Sequence, residues 1–173
     1  MRQPSHAVAK AGSVLLMMVV LVATGFSQKP DASQQLKPII EKYVEVWNTG
    51  DFKDLDAIVD PHFVRHANSE PAVEGIDGLK KIISGFRASY PDLKIVVNEE
   101  IYAGKKSVGR WTLTGTNTGA GTMPPTGKAV RQWGISILHF ANGKITEEYL
   151  GFDNLALMQT LGFTLTPPSE EKK

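Results

Sequence analysis

The feature that most restricts the fold is a pair of apolar segments joined by Asn142-Gly143. Residues 130–140 and 145–152 are rich in Ile, Leu, Val and aromatic residues and contain no Pro, which is typical of β-strands. Asn-Gly between two such segments is the strongest short-range signal for a hairpin, because Gly adopts positive φ without steric cost. The sequence therefore predicts an antiparallel hairpin over residues 130–152.

The length of the turn decides which side chains of the two strands share a face. A two-residue turn pairs Ala141 with Lys144, and a three-residue turn pairs Phe140 with Lys144. The difference of one residue turns one whole strand over relative to the other. The three-residue turn separates the apolar and polar side chains better, and it is the turn that we predict.

With that turn the hairpin has one uniformly apolar face and one mixed face. The apolar face, typical of a core or of a dimer interface, consists of Trp133, Ile135, Ile137, Ile145 and Tyr149. The mixed face combines apolar walls with a few polar groups, as small-molecule pockets do. It consists of Gln132, Gly134, Ser136, Leu138, Phe140, Thr146, Glu148, Leu150 and Phe152. We expect the second face to line a pocket.

Short motifs spread over residues 36–163 form a recognisable set. They are Trp47-Asn-Thr-Gly50, Phe63-Val-Arg-His66, Met123-Pro-Pro-Thr-Gly-Lys128, Gly143-Lys-Ile145, Asp153 and Leu161-Gly162. The set resembles the SnoaL-like polyketide cyclase and ester cyclase family, and the segment over residues 123–128 is its most specific part. The resemblance implies an α+β fold, the NTF2-like cone, in which a bent, mostly antiparallel sheet and covering helices enclose one pocket.

The resemblance also implies a change at the catalytic position. Family members that cyclise polyketides carry a catalytic Asp at the position of Leu150 and a pocket His at the position of Ser136. Leu150 cannot transfer a proton. The fold is therefore expected to carry over to this chain, whereas the usual cyclase mechanism is not.

The rest of the chain predicts further helices and strands. Helices are expected over residues 38–50, 51–59 and 77–90, and a short one follows Asp153, which suits a helix N-cap. Further strands are expected at residues 63–66, from residue 93 to the turn at Gly104, and at residues 108–116. The predicted architecture has three N-terminal helices that cover one pocket of the sheet and a short C-terminal helix.

Residues 1–27 have the pattern of a secretory signal peptide. Arg2 and Lys10 precede an apolar run over residues 14–23, and Ala23-Thr24-Gly25 offers a small-residue cleavage site. The run is shorter than the roughly 20 residues that span a bilayer, although a retained anchor is the alternative. We predict a periplasmic or secreted protein without stable membrane insertion after cleavage. The mature chain would have a flexible lead-in (28–36), one domain (37–165) and a disordered tail (166–173).

Charge and composition exclude several classes of function. Two of the 19 Lys and Arg lie in residues 1–27, which leaves 17 basic against 18 acidic residues and favours no nucleic-acid partner. The chain has no Cys, so disulfides and thiolate metal sites are excluded. His62 and His66 are about 13 Å apart on an extended strand, too far for one metal ion. We predict neither a metal nor a cofactor.

General acid–base catalysis is then the chemistry that the candidate pocket can offer. The candidate catalytic residues are Glu148, His66 and Asp153, with a surface position as the alternative for the first two and a helix cap as the alternative for Asp153. The candidate substrate-binding residues are Trp47, Phe63, Trp111, Gln132, Ser136, Leu138 and Leu150.

Two functions from different classes fit these residues. One is an exported SnoaL-like enzyme that transfers a proton on a small hydrophobic carbonyl compound. The other is an NTF2-like module that binds such a compound without catalysis. Glu148 and His66 converging in one cavity would favour the enzyme. The apolar face predicts a homodimer in either case.

Overall fold

The computed structural model describes residues 31–68, 70–121 and 124–166. The predicted signal peptide and residues 167–173 of the predicted tail lie outside the described residues. None of the helices in the described ranges has the length and apolar composition to cross a membrane.

Four helices pack with one six-stranded sheet. The helices are α1 (Ala32–Thr49), α2 (Leu55–Ile58), α3 (Gly75–Ser89) and α4 (Asn154–Leu161), and the strands are β1 (Val59–Ala67), β2 (Val73–Glu74), β3 (Lys94–Ala103), β4 (Lys106–Thr116), β5 (Ala129–Ala141) and β6 (Lys144–Phe152). The strand order is β2-β1-β6-β5-β4-β3. β1 and β6 pair in parallel, and the other neighbouring strands pair antiparallel. The predicted α+β fold with a mostly antiparallel sheet is confirmed.

Helix α1 begins at Ala32 and not near Pro38 as predicted. Asp31 caps it by accepting a hydrogen bond from the backbone N–H of Ser33, and the following turn buries Leu36. The helix continues through Pro38, although Pro cannot donate the usual backbone hydrogen bond. It ends at Gly50 as predicted, with φ at 74°. Residues 32–36 of the predicted lead-in are therefore helical.

The segment after α1 contains less helix and more strand than predicted. Of the helix expected over residues 51–59, only Leu55–Ile58 is helical. The strand expected at residues 63–66 extends over Val59–Ala67, because its start pairs in parallel with Ile145 of β6. That pairing joins distant parts of the chain, so local periodicity did not predict it. The short strand β2 was not predicted either.

The turn between β5 and β6 has two residues, and the predicted three-residue turn is wrong. Asn142 and Gly143 have φ values of 51° and 74°, and Ala141 pairs with Lys144. Positive φ at both central residues matches the right-handed twist of the flanking strands, which is why Asn-Gly favours this turn.

A β-bulge at Thr146 restores the predicted faces over most of the hairpin. Phe140 pairs with Ile145, and His139 pairs with Glu147, so Thr146 has no partner on β5. The prediction for Ile145 is wrong: its side chain is fully buried in the core and does not lie on the outer apolar face. Thr146, predicted for the pocket face, is the extra residue of the bulge.

Beyond the bulge the predicted pocket face is correct. Ser136 pairs with Leu150, and Leu138 pairs with Glu148. All four side chains are buried on the side of the sheet that α1 covers. The other side of β5 and β6 is the outer face of the sheet. It carries the exposed side chains of Trp133, Ile135, Ile137 and Tyr149.

Candidate functional site

The covered side of the sheet encloses a cavity lined by residues of β1, β3–β6, α1, α4 and the end of α3. Its volume is about 100 Å³, measured over the positions that the centre of a water molecule can occupy. The walls are mainly aliphatic and aromatic. The cavity is lined by six of the seven predicted substrate-binding residues: Trp47, Trp111, Gln132, Ser136, Leu138 and Leu150. Phe63 does not line it, because its side chain is fully buried in the core.

Glu148 is the buried acid of this cavity. Its side chain is almost completely shielded, with the residue 5% exposed. The Tyr43 hydroxyl donates to Oε2 at 2.9 Å, and the Ser136 hydroxyl donates to Oε1 at 2.9 Å. Arg65 Nε also donates to Oε2, at 3.2 Å. Both carboxylate oxygens are therefore held in fixed positions by donors from other elements.

The direction of the hydrogen bonds around Ser136 fixes the role of Glu148 as an acceptor. Trp111 Nε1 lies 3.0 Å from the Ser136 hydroxyl oxygen. An indole N–H can only donate, so the Ser136 oxygen accepts from Trp111 and its proton is directed to Glu148. An ionised carboxylate, which only accepts, fits this arrangement.

Tyr43 donates to Glu148 as a neutral phenol. Burial raises the pKa of the Tyr43 hydroxyl well above its ordinary value, and the nearby charge of Glu148 raises that pKa further. The opposing effect of Arg65 is smaller. Tyr43 therefore keeps its proton across the physiological pH range and remains a donor.

Arg65 neutralises the buried charge of Glu148. The two residues are opposite each other in the parallel pair of β1 and β6, and both side chains are buried. The Arg65 guanidinium carbon lies 5.5 Å from the ring centroid of Trp47, a cation–π arrangement that holds the guanidinium group against α1. A buried carboxylate without such a partner would be strongly destabilising.

His66 does not meet Glu148, so the convergence that would have favoured the enzyme is not observed. Adjacent residues of a strand point to opposite faces, and His66 follows the inward-facing Arg65 on β1. Its ring stacks on Tyr149 at 4.4 Å on the outer face, and its Nε2 lies 3.2 Å from Glu147 Oε1. His139 Nδ1 lies 2.9 Å from the other oxygen of Glu147.

Asp153 caps α4 and does not line the cavity. Its Oδ1 accepts a hydrogen bond from the backbone N–H of Ala156 at 2.9 Å. This is the structural alternative that the sequence offered for Asp153. Glu148 is thus the one candidate acid or base from the sequence that lies in the cavity.

Sequence reasoning missed Arg65 and Tyr43 as site residues. Alternation along β1 from the apolar Phe63 places Arg65 on the inner face, and this signal was available in the sequence. Tyr43 has the helical spacing of core residues and was interpreted as one. Its contact with Glu148 joins residues 105 positions apart.

Known proteins share both the sequence pattern and the fold. A model of the SnoaL-like polyketide cyclase family matches residues 37–161. A proposed SnoaL-like polyketide cyclase from Jannaschia sp. CCS1 has a TM-score of 0.71 at 25% identity, covering 83% of this chain and 100% of that one. TsrD from Streptomyces laurentii has a TM-score of 0.68 at 25% identity, covering 75% of this chain and 96% of that one.

The fold is also shared at lower identity. An NTF2-like protein from Burkholderia pseudomallei K96243 has a TM-score of 0.64 at 14% identity, covering 75% of this chain and 98% of that one. The predicted NTF2-like cone is therefore confirmed. No match was found among curated proteins. Since the family model covers most of the chain, the protein belongs to the SnoaL-like polyketide cyclase family.

Proposed function

We propose that this protein is an enzyme that transfers a proton on a small hydrophobic carbonyl compound without a cofactor, with Glu148 as the base. The observation that carries the proposal is a buried, hydrogen-bonded carboxylate inside a cavity with mainly apolar walls. Such a cavity favours an apolar ligand, and Glu148 is the buried carboxylate within it that can accept a proton.

The reaction begins at a C–H bond next to the carbonyl group of the ligand. Glu148 accepts the proton, and the electron pair of the C–H bond moves towards the carbonyl oxygen. A well-placed base contributes about 10²–10⁴-fold in rate, and orientation in an enclosed site contributes further. When the ligand carries a second carbonyl group, the resulting carbanion can attack its carbon, which forms a C–C bond and closes a ring. The C=O π bond breaks, its electron pair moves to the oxygen, and that oxygen takes the proton back from Glu148.

The positions of Ser136 and Leu150 support a relocated base. Leu150 stands where the family resemblance places a catalytic Asp, and Glu148 lies two residues earlier on the same face of β6. Two residues of a strand span roughly 6–7 Å. Ser136, at the position of the family's pocket His, donates a hydrogen bond to Glu148. The carboxylate is therefore still in the cavity, about one pleat along the strand.

The test measures exchange of the acidic α-protons of ethyl benzoylacetate with D₂O by NMR. The full-length protein should accelerate exchange, and a Glu148→Gln variant should lose about 10²–10⁴-fold of that acceleration. Glu147→Gln is the matched control, because the adjacent Glu147 lies on the outer face. Equal exchange with the wild type and with Glu148→Gln would contradict the proposal.

The second candidate is a binding module without catalysis, and the absence of His66 from the cavity favours it. In that case ethyl benzoylacetate would bind and quench the fluorescence of Trp47 and Trp111, but its exchange rate would equal that in buffer. Binding without accelerated exchange would thus select the binding module.

We also propose that the protein is exported and forms a homodimer. The pattern of residues 1–27 supports export, and N-terminal sequencing of the secreted or periplasmic protein would test it. The exposed apolar side chains on the outer face support the dimer. They include Trp133, which is 59% exposed, and Ile135, which is 41% exposed.

A further inference from the structure

Arg65 uses only part of its hydrogen-bonding capacity on Glu148. Its Nε donates to Glu148, but neither terminal nitrogen has a hydrogen-bond partner in the described part of the chain. The residue is 7% exposed and lines the cavity. Among the described residues, the one side-chain polar atom that is both fully buried and without a partner is the Tyr90 hydroxyl oxygen. The unpartnered terminal nitrogens of Arg65 are therefore not fully shielded.

Burying an arginine in this way is unfavourable unless the remaining donors find an acceptor. A buried ionised group requires hydrogen bonds to all of its polar atoms to offset the loss of hydration. The contact with Trp47 and the bond to Glu148 hold the guanidinium group of this cavity-lining residue in place. The unpartnered terminal nitrogens of this cavity-lining residue are donors of the kind that an oxygen atom of a ligand would accept from.

We infer that Arg65 is a second catalytic residue, which binds the carbonyl oxygen of the ligand and stabilises the negative charge that develops there. This inference rests on the proposed function for its reaction. Arg65 pairs with the Glu148 carboxylate before proton transfer and with the ligand oxygen after it, so one arginine serves two anions in succession.

The charges balance through the step. Before it, Arg65 pairs with the ionised Glu148. The C–H bond next to the carbonyl breaks, the proton moves to a Glu148 oxygen, and the electron pair delocalises to the carbonyl oxygen as an enolate. Glu148 is then neutral, and Arg65 pairs with the enolate. The net charge of the site does not change, because the negative charge that Glu148 loses appears on the ligand.

The same charges define the class of ligand. Glu148 and Glu100 both line the cavity, whereas Arg65 is the one basic residue that lines it in the described ranges. A carboxylate ligand would therefore add a second anion beside Glu148. A neutral ketone or ester with an acidic α C–H avoids this, because its negative charge appears only as Glu148 loses its own.

The test uses 2-naphthol, whose ionised form resembles an enolate and absorbs at a different wavelength from the neutral form. Glu148→Gln imitates the neutral acid that exists after proton transfer. It should bind the naphtholate anion at least about tenfold more tightly than the wild type, although the same variant loses turnover. The readout is the ionisation of bound naphthol, followed by absorbance, and it does not depend on any catalysed reaction.

A double variant, Arg65→Gln with Glu148→Gln, separates the role of Arg65 from a structural one. It removes both buried charges together, so the fold is not left with an unpaired ion. The tenfold gain in naphtholate affinity should disappear in this variant. The matched control is Arg110→Gln with Glu99→Gln, a similar pair with a 3.3 Å contact on the exposed surface, which should behave as the wild type does.

Two results would overturn the inference. One is a Glu148→Gln variant that binds naphtholate no more tightly than the wild type. The other is a double variant that keeps the gain in affinity. If naphtholate binds as expected but no α-proton exchange is accelerated, the proposed function fails while the assignment of Arg65 as an oxyanion site stands.

Discussion

Gly134 of β5 lies opposite Trp111 of β4, and the indole ring of Trp111 covers the space where a side chain at position 134 would lie. A Cβ atom at position 134 would be within 2.3 Å of the Trp111 ring and 2.9 Å from the backbone oxygen of Gly151. The glycine thus allows the indole ring to lie flat on β5. In this position Trp111 can donate its hydrogen bond to Ser136, which in turn donates to Glu148.

We expect Gly134→Ala to lower the free energy of unfolding by about 1–3 kcal/mol, because the ring must shift to make room. Urea denaturation followed by fluorescence measures this change. Gly109→Ala is the control, since Gly109 lies on the neighbouring strand β4 and the nearest atom to its added Cβ is 3.9 Å away. Equal destabilisation by both variants would contradict the role assigned to Gly134.

Tyr90 carries a buried hydroxyl group without a hydrogen-bond partner among the described residues. Burial raises the pKa of this hydroxyl, as expected for a group shielded from water. Tyr90→Phe removes the unpartnered group and keeps the ring, so the free energy of unfolding should rise by about 1 kcal/mol. Thermal denaturation measures it, and a clear loss of stability would show that the hydroxyl has a partner in solution.

Tyr43→Phe should have the opposite effect. It removes the hydroxyl that donates to Glu148 at 2.9 Å and leaves the buried carboxylate with one donor fewer. We expect a loss of about 1.5–3 kcal/mol, the usual contribution of a hydrogen bond to a charged group. The same denaturation experiment checks it, and a neutral result would mean that Glu148 is hydrated or displaced in solution.

The outer-face carboxylate Glu147 should make stability depend on pH. The hydrogen bond from the Tyr149 hydroxyl, followed by the contact with His66, holds the pKa of Glu147 below its ordinary value. A lowered folded-state pKa stabilises the protein above the unfolded pKa, and this contribution is lost as the pH falls through the folded-state pKa.

Glu147→Gln should therefore reduce stability at pH 7 by less than about 1 kcal/mol, since the group is partly exposed. The difference from the wild type should shrink as the pH falls below about 4. Denaturation at pH 7 and at lower pH measures both values, with the exposed Glu70→Gln as the control for losing one negative charge. A difference that stays constant with pH would contradict this assignment.

The proposed homodimer predicts a specific effect of one charge on the outer face. Ile135→Glu places a carboxylate in the middle of the exposed apolar side chains of β5, and it should convert the dimer to a monomer at micromolar concentration. Leu155→Glu is the control, because Leu155 is similarly exposed but lies on α4. Analytical ultracentrifugation measures the masses, and a monomeric wild type would refute the dimer.

Local patterns in the sequence predicted most of this fold. The hairpin, the amphipathic α3, the end of α1 at Gly50 and the cap at Asp153 depend on neighbouring residues and were predicted close to their observed positions, whereas the start of α1 was predicted six residues too late. The extent of β1 depends on parallel pairing with a strand about 80 residues away, and local periodicity contains no information about that partner.

Local alternation predicted part of the site, and the part that depends on strand order was not predicted. The alternation along β5 and β6 placed Ser136, Leu138 and Glu148 on one face correctly. His66 was a candidate from the sequence, but the strand directs its neighbour Arg65 inwards instead. The pairing of Arg65 with Glu148 follows from the order of the strands, which local sequence patterns do not contain.

The unpaired Thr146 determines which of two consecutive acids can meet a ligand. If Thr146 took a regular place in the ladder after the inward-facing Ile145, alternation would send Glu147 inwards and Glu148 out to solvent. Glu147 would then share the inner face with Arg65, and Glu148 would share the outer face with the two histidines. One inserted residue near a tight turn thus decides which acidic group of this open sheet faces the cavity, with no change required in any helix.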